Sequence, residues 1–126
     1  MRNEKWETMK GDDISDRLVD FSVRIIRLVN SLPKDFVGKH VANQLLRSGT
    51  SSGANYEEAR GAESSADFIH KLGIVLKELR ESLYWLKVIK KGELLHSKQL
   101  ENILDETEQL SKVIAQSVIT ARKKPK

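Results

Sequence analysis

Metal chemistry is the first possibility raised by the three histidines and the many carboxylates of this 126-residue chain. A di-iron site in a helical bundle needs four inward carboxylates and two Glu-x-x-His pairs on its helices. The predicted helices of this chain supply one weaker pair, Asp67-x-x-His70. We therefore predict no metal and no cofactor, and we expect Asp67 to serve a helix N-terminus while His70 lies at the surface or an interface.

Glu78 and Glu81 lie one helical turn apart beside Tyr84 and Trp85. Two interpretations remain open. In the first, they line a solvated face and pair with neighbouring cations, as i,i+4 pairs do on helices. In the second, they form an ion pair between subunits with an arginine such as Arg47 or Arg60. No nucleophile or pocket accompanies them, so acid–base catalysis is not indicated.

Residues 48–54 read Ser-Gly-Thr-Ser-Ser-Gly-Ala, which raises the possibility of a nucleophile or a phosphate-binding loop. Neither the P-loop pattern nor Gly-x-Ser-x-Gly is present. Close packing of a helix against a neighbour is the better interpretation. We predict no catalytic residue, and the chain is not expected to be an enzyme.

Basic side chains offer a different chemistry, the binding of phosphate groups. Arg17, Arg24 and Arg27 have spacings of seven and three, which places them near one helix face. The chain ends in a basic tail, and its net charge is +4. A solvated helix face is an equally ordinary explanation for such a stripe. The residues predicted to contact RNA or DNA are Arg17, Arg24, Arg27, Arg122, Lys123, Lys124 and Lys126.

Four amphipathic segments must position these side chains. The first helix is predicted over residues 13–31, because apolar residues recur with spacings of 4-3-4-3-4 and a proline follows at position 33. A capping serine at position 64 opens the third helix, which ends at Lys90-Lys91-Gly92, and the fourth helix covers residues 97–121. These segments predict an all-α, antiparallel up-down-up-down four-helix bundle. Residues 1–126 form one domain with an ordered core over about 13–121 and a frayed basic tail at 122–126.

The second helix, beginning near position 34 or 35, poses a choice at Gly49-Thr50-Ser51-Ser52-Gly53. Propensity alone favours a break, because each glycine costs about 1 kcal/mol relative to alanine. Gly49 and Gly53 nevertheless share a face, and small residues four apart let another helix approach closely. We favour a continuous helix.

The third helix has more apolar residues than one core face needs, which indicates self-association. We assign the following residues to helix packing or to an oligomer interface: Gly49, Ser52, Gly53, Tyr56, Glu78, Glu81, Tyr84 and Trp85.

Composition excludes several classes of protein. The chain has no cysteine, so disulfides and cysteine-based zinc sites are ruled out. It has no apolar run near the roughly 20 residues of a membrane span, and no signal-like segment at the N-terminus. A cytoplasmic location and no membrane partner are therefore expected.

Three segments together resemble a known family: LLRSGTSSGANYEEA at 45–59, DFIHKL at 67–72 and LKELRESLYWL at 76–86. The chain is similar over roughly residues 14–120 to four-helix-bundle proteins encoded in intervening sequences of bacterial large-subunit ribosomal RNA genes, and Trp6 matches their N-terminal segment. That family is related to the accessory variability determinant of diversity-generating retroelements, a pentameric barrel that binds nucleic acid and a reverse transcriptase.

The resemblance implies a continuous second helix, a four-helix protomer, a ring-like homopentamer and no established catalytic site. Two functions follow as hypotheses. The first is a non-enzymatic, oligomeric protein that binds nucleic acid or acts as a scaffold. The alternative is a protein-interaction module that partners a polymerase or another protein without touching nucleic acid.

Overall fold

The computed structural model describes residues 10–123, and all four predicted helices are present in this range. They are α1 (Gly11–Asn30), α2 (Phe36–Arg60), α3 (Ser65–Lys91) and α4 (Ser97–Lys123). The described residues contain no strand, so the all-α prediction is confirmed. Trp6, Lys124 and Lys126 lie outside the described residues, and nothing is assigned to them.

Local chemistry explains most of the helix ends. The Asp35 carboxylate accepts a hydrogen bond from the Gly38 N–H at 2.8 Å, and the Ser64 hydroxyl accepts one from the Asp67 N–H at 3.1 Å. Each interaction satisfies an N–H group that has no partner within its helix. The predicted capping role of the Ser64–Asp67 pair is therefore confirmed.

The start of the first helix and the end of the last helix differ by two residues from their predicted positions. The first helix begins at Gly11 rather than at residue 13; its N-cap is Lys10 without a side-chain hydrogen bond, and Asp12 and Asp13 lie in the first turn, where they face the positive end of the helix dipole. The fourth helix continues beyond residue 121, because Arg122 and Lys123 belong to its last turn. Cations there oppose the negative end of the dipole and so favour continuation of the helix.

The helices form a bundle in which each packs against the next and α4 closes against α1, while the backbones of the diagonal pairs lie further apart. Short connections make neighbouring helices antiparallel. The 4-3-4-3-4 spacing of α1 correctly identified its buried side. Its apolar residues with at most 9% exposure are Ile14, Leu18, Phe21, Ile25, Leu28 and Val29, followed by Leu32 after the helix.

The α1–α2 crossing explains why α2 continues through its glycines. A Cβ atom added at Gly49 would lie 2.9 Å from both Cγ atoms of Ile25, whereas one added at Gly53 would lie 3.5 Å from the Leu18 Cβ. Ile25 and Leu18 are fully buried, so α1 fills the space that a larger side chain on α2 would need. The prediction of an unbroken second helix is confirmed, and Gly49 marks the tightest point of this crossing.

The connection between α1 and α2 packs closely against Gly38 in the first turn of α2. A Cβ atom at Gly38 would lie 1.9 Å from the Pro33 carbonyl oxygen, and 3.1 Å from a carboxylate oxygen of Asp35. Gly38 is buried in the first turn of α2. The absence of a side chain at this position lets the connection fold back over the start of the helix.

Candidate functional site

A groove between the end of α1 and the start of α4 contains two of the predicted phosphate-binding arginines. Arg24 and Arg27 line it together with Leu28 and Ser31, and the cavity measures about 240 Å³. The opposite wall consists of Leu95, Gln99 and Ile103. The groove therefore combines two guanidinium groups with an apolar floor.

Arg24 and Arg27 are available for a ligand. Neither has a hydrogen bond or an ion pair with another residue in the range 10–123. Asp20 lies one turn before Arg24 on α1, yet no ion pair joins them. An arginine carries its positive charge at any physiological pH and presents up to five N–H donors, so the groove is a concentrated source of positive potential.

Arg17 differs from the other two arginines of the stripe. Its Nη2 lies 2.7 Å from Glu106 Oε1 and its Nε lies 3.3 Å from Glu106 Oε2, which makes a two-pronged ion pair between α1 and α4. Both side chains are about four-fifths buried. Sequence reasoning grouped Arg17 with the phosphate-binding arginines because its partner is 89 positions away. Its charge is already neutralised, so the structure assigns it to holding two helices together.

Arg122 and Lys123 do not join the groove. They lie at the C-terminal end of α4, whereas Gln99 and Ile103 lie near its start. At a rise of 1.5 Å per residue, the two regions are about 30 Å apart along the helix. Within one protomer, these two cations are therefore separate from Arg24 and Arg27.

Arg47 on α2 pairs with both carboxylates that the sequence singled out on α3. Its Nη1 lies 3.3 Å from Glu78 Oε2, and its Nη2 contacts Glu81. The same Glu81 oxygen accepts a hydrogen bond from the Trp85 indole N–H at 3.2 Å. Arg47, one of the two arginines named in the second interpretation, is therefore the partner of both acids, and it reaches them within one chain. Within residues 10–123, no ion pair joins either acid to Lys71, Lys77 or Arg80, the partners of the first interpretation.

Hydroxyl groups complete this α2–α3 contact. The Ser82 hydroxyl lies 3.0 Å from that of Ser48 and 2.9 Å from the Glu78 carbonyl oxygen. The Ser52 hydroxyl donates to the Gly49 carbonyl at 2.7 Å. No buried side-chain nitrogen or oxygen in the range 10–123 lacks a hydrogen-bond partner. These serines therefore have a sufficient explanation in packing, and the structure gives none of them the surroundings of a nucleophile.

Tyr56, assigned to packing or an interface, is buried within the protomer. Burial raises the pKa of its phenol above the ordinary value of 10.0, although the nearby Arg60 opposes the shift. The small residues at positions 49, 52 and 53 also pack within the protomer, against α1 and the core. They supply the close contact between the helices of one protomer.

An exposed patch of aromatic and apolar side chains lies beside the Arg47 cluster. Tyr84 is 57% exposed and packs edge-on against Trp85, with ring centroids 4.9 Å apart. Trp85 also meets His40 edge-on at 5.9 Å. Phe36, 90% exposed, and Val37, 54% exposed, lie one turn before His40. We call the five residues Phe36, Val37, His40, Tyr84 and Trp85 the aromatic patch.

Sequence reasoning missed Phe36 and His40 as members of this patch. The signal was the apolar pair at positions 36–37, which falls outside the buried series Gly38, Val41, Leu45 of α2. Single exposed apolar residues are common on protein surfaces, so the pair alone did not indicate a patch. The fold shows the patch because it places Tyr84 and Trp85 of α3 beside the start of α2.

The histidines do not assemble a metal site. Glu93-x-x-His96 has the spacing of a metal-binding pair, but both residues lie in the connection between α3 and α4. No group of three or more metal-ligating side chains comes together in the part of the chain that the structure describes. None of the helices in that part is long and apolar enough to cross a membrane.

Comparison with known proteins places this fold. A solved structure from Bacteroides thetaiotaomicron, of a protein of unknown function from the S23 ribosomal protein family, is 38% identical to the chain. The match covers 88% of this chain and 99% of the other, with a TM-score of 0.81. No curated protein is significantly similar to the chain. The model of the 23S rRNA-intervening sequence proteins matches residues 12–116. The chain therefore belongs to the 23S rRNA-intervening sequence protein family.

Proposed function

We propose that this protein is a non-enzymatic, oligomeric nucleic-acid-binding protein, and that the groove of Arg24 and Arg27 contacts phosphate groups. The observation that supports the proposal is a groove with two guanidinium groups that have no partner among residues 10–123, and with no carboxylate among the lining residues in that range. Phosphate groups accept hydrogen bonds and carry negative charge, and arginine is well suited to bind them. None of the described residues that line the groove is aromatic, so we expect binding without base stacking and with tolerance of different sequences.

Binding should be weak for one protomer and strengthened by repetition. Each groove presents the two positive charges of Arg24 and Arg27. Neutralisation of two charges corresponds to a slope of about −1.4 in the logarithm of affinity against the logarithm of salt concentration for a single strand. A ring would present the groove several times, and linked contacts raise avidity by roughly 10²–10⁴ when the geometry permits them.

The test is fluorescence anisotropy with single-stranded RNA and DNA at several salt concentrations. We expect Arg24→Glu with Arg27→Glu to abolish binding, because the variant replaces two cations by two anions in the groove. The matched control is Lys77→Glu with Arg80→Glu, two exposed cations three positions apart on α3, which should reduce binding far less. Undetectable binding at about 50 mM salt would reject the proposal, as would equal losses in the two variants.

The aromatic patch favours the second candidate function, contact with protein. Exposed aromatic side chains beside apolar neighbours are enriched in protein interfaces. The patch is also the surface that we propose for self-association, with a pentamer as the expected state.

Light scattering of the purified protein is expected to give a mass near five times 14.3 kDa. Phe36→Ser with Tyr84→Ser should shift the mass towards one protomer, because it removes the two largest exposed rings of the patch. Val19→Ser, at a 56% exposed apolar position on α1, is the control. A monomeric wild-type protein would exclude the oligomer, and a monomer from Val19→Ser alone would place the interface on α1 instead.

A further inference from the structure

We propose that the α1–α4 groove is a discrete site for a phosphate monoester, a group with two negative charges, and that it prefers this group over the phosphodiester of a nucleic-acid backbone. The inference deepens the proposed function by naming the ligand chemistry of the same groove. A phosphate monoester reaches such a site either as the end of a nucleic-acid strand or as a free nucleotide.

The open polar groups of the groove are almost all donors. Arg24 and Arg27 each keep a full set of N–H groups, because neither is paired with another residue in the described range. The Gln99 side chain uses its oxygen to accept the His96 backbone N–H at 3.2 Å, which leaves its NH₂ group to donate. The Ser31 hydroxyl already donates to the Arg27 carbonyl at 3.2 Å. A ligand that only accepts hydrogen bonds, and accepts many, fits this lining.

Charge distinguishes this groove from other clefts of the molecule. Three further clefts are lined by mixed charges, and each contains at least one carboxylate: Glu93 in the first, Glu93, Glu101, Asp105 and Glu108 in the second, and Glu63 in the third. The described residues that line the arginine groove include no carboxylate. The C-terminal end of α1 and the N-terminal end of α4 both border it, and their opposite partial charges offset each other. The two guanidinium groups therefore set a local charge of about +2, which a dianion neutralises.

Size and polarity favour a small group. The cavity of about 240 Å³ is smaller than the roughly 300–1,000 Å³ of most small-molecule pockets. Leu28, Leu95 and Ile103 keep the floor apolar, which strengthens the attraction between arginine and phosphate relative to open water. The groove thus suits one phosphate with part of its sugar. It does not suit a duplex or a large cofactor.

Gln99 permits a sharp test. Gln99→Glu keeps an oxygen that accepts the His96 N–H, and a carboxylate in the first turn suits the positive end of the α4 dipole. The variant should therefore fold at least as stably as the wild type. It removes a donor and adds a negative charge to the groove, so phosphate binding should be lost while both arginines remain.

The experiment measures binding of three probes to the full chain by calorimetry at constant ionic strength: inorganic phosphate, adenosine 5′-monophosphate, and an RNA of about ten nucleotides with either a 5′-phosphate or a 5′-hydroxyl. We expect the 5′-phosphorylated RNA to bind roughly tenfold more tightly than its 5′-hydroxyl counterpart, because it adds charge-assisted hydrogen bonds. Gln99→Glu and Arg24→Gln with Arg27→Gln should both remove this difference. Lys77→Gln with Arg80→Gln should keep it.

The outcomes separate this inference from the proposed function. Equal binding of the two RNA forms, or a difference that survives Gln99→Glu, overturns the inference and leaves general nucleic-acid binding intact. Binding of adenosine 5′-monophosphate without binding of either RNA supports the monoester site with a free nucleotide as its source, and overturns the proposed function. Absence of binding for every probe overturns both.

Discussion

Gly38→Ala is expected to destabilise the protein by about 2–3 kcal/mol, although alanine is the better helix former. The added methyl group would lie 1.9 Å from the Pro33 carbonyl oxygen, far inside contact distance. The connection must then shift, which strains the hydrogen bond between the Gly38 N–H and Asp35. Over-packing of this kind costs ~1–3 kcal/mol or more, and the helix preference of alanine returns at most about 1 kcal/mol. Urea denaturation measures the change.

The same substitution at Gly73 is the control, and the sign should reverse. Gly73 lies in α3, is exposed, and a Cβ atom there would meet nothing within 4 Å. Gly73→Ala is expected to stabilise the protein by about 0.5–1 kcal/mol, since alanine loses less conformational entropy on folding. If both variants change stability in the same direction, the close approach of Pro33 to Gly38 does not control the α1–α2 connection.

Arg47→Met is expected to cost about 2 kcal/mol because it leaves two carboxylates without their cation. The Glu78 side chain is only 11% exposed, and loss of one partner of a buried ion pair costs about 3–5 kcal/mol. The Arg47 side chain is 49% exposed, so solvent screening reduces this figure. The free energy of unfolding from denaturant titration is the relevant measurement.

A double-mutant cycle separates the ion pair from the packing of the arginine stem. Adding Glu78→Met to Arg47→Met should recover most of the lost stability, because it removes the uncompensated buried charge. Arg80→Met, at an exposed cation on α3, should change stability by less than about 0.5 kcal/mol. A double variant no more stable than Arg47→Met alone would show that Arg47 acts through packing rather than charge.

The helices were predicted well because apolar spacing and capping residues are visible within each short segment of the sequence. The spacing of Ile14, Leu18, Phe21 and Ile25 identified the buried face of α1, and Ser64 marked the start of α3. The continuity of α2 could not be predicted from helix propensity, because glycine at position 49 disfavours a helix. The small-residue stripe and the family resemblance together gave the correct answer, and the fully buried Ile25 supplies the physical reason.

Properties that depend on distant residues were not predictable from local patterns. Arg17 and Arg24 look alike in the sequence, yet one meets Glu106 and the other faces an open groove. Arg47 was named as a partner of Glu78, but only the fold shows that the contact occurs within one chain. Gly38 gave no signal, since its constraint comes from a carbonyl oxygen in the preceding connection.

The contact between α4 and α1 has a consequence for local unfolding of the molecule. Among the packed helix pairs, this one shares the least contact, and it joins the first helix to the last without any connecting chain. Local opening should therefore begin at this seam, and native-state hydrogen exchange should detect it before α2 and α3 separate. The Arg17–Glu106 pair crosses the seam, as does the groove with Arg24 on one wall and Gln99 on the other. A molecule bound in that groove would contact both helices. It would make local opening less favourable, because it binds the closed form alone.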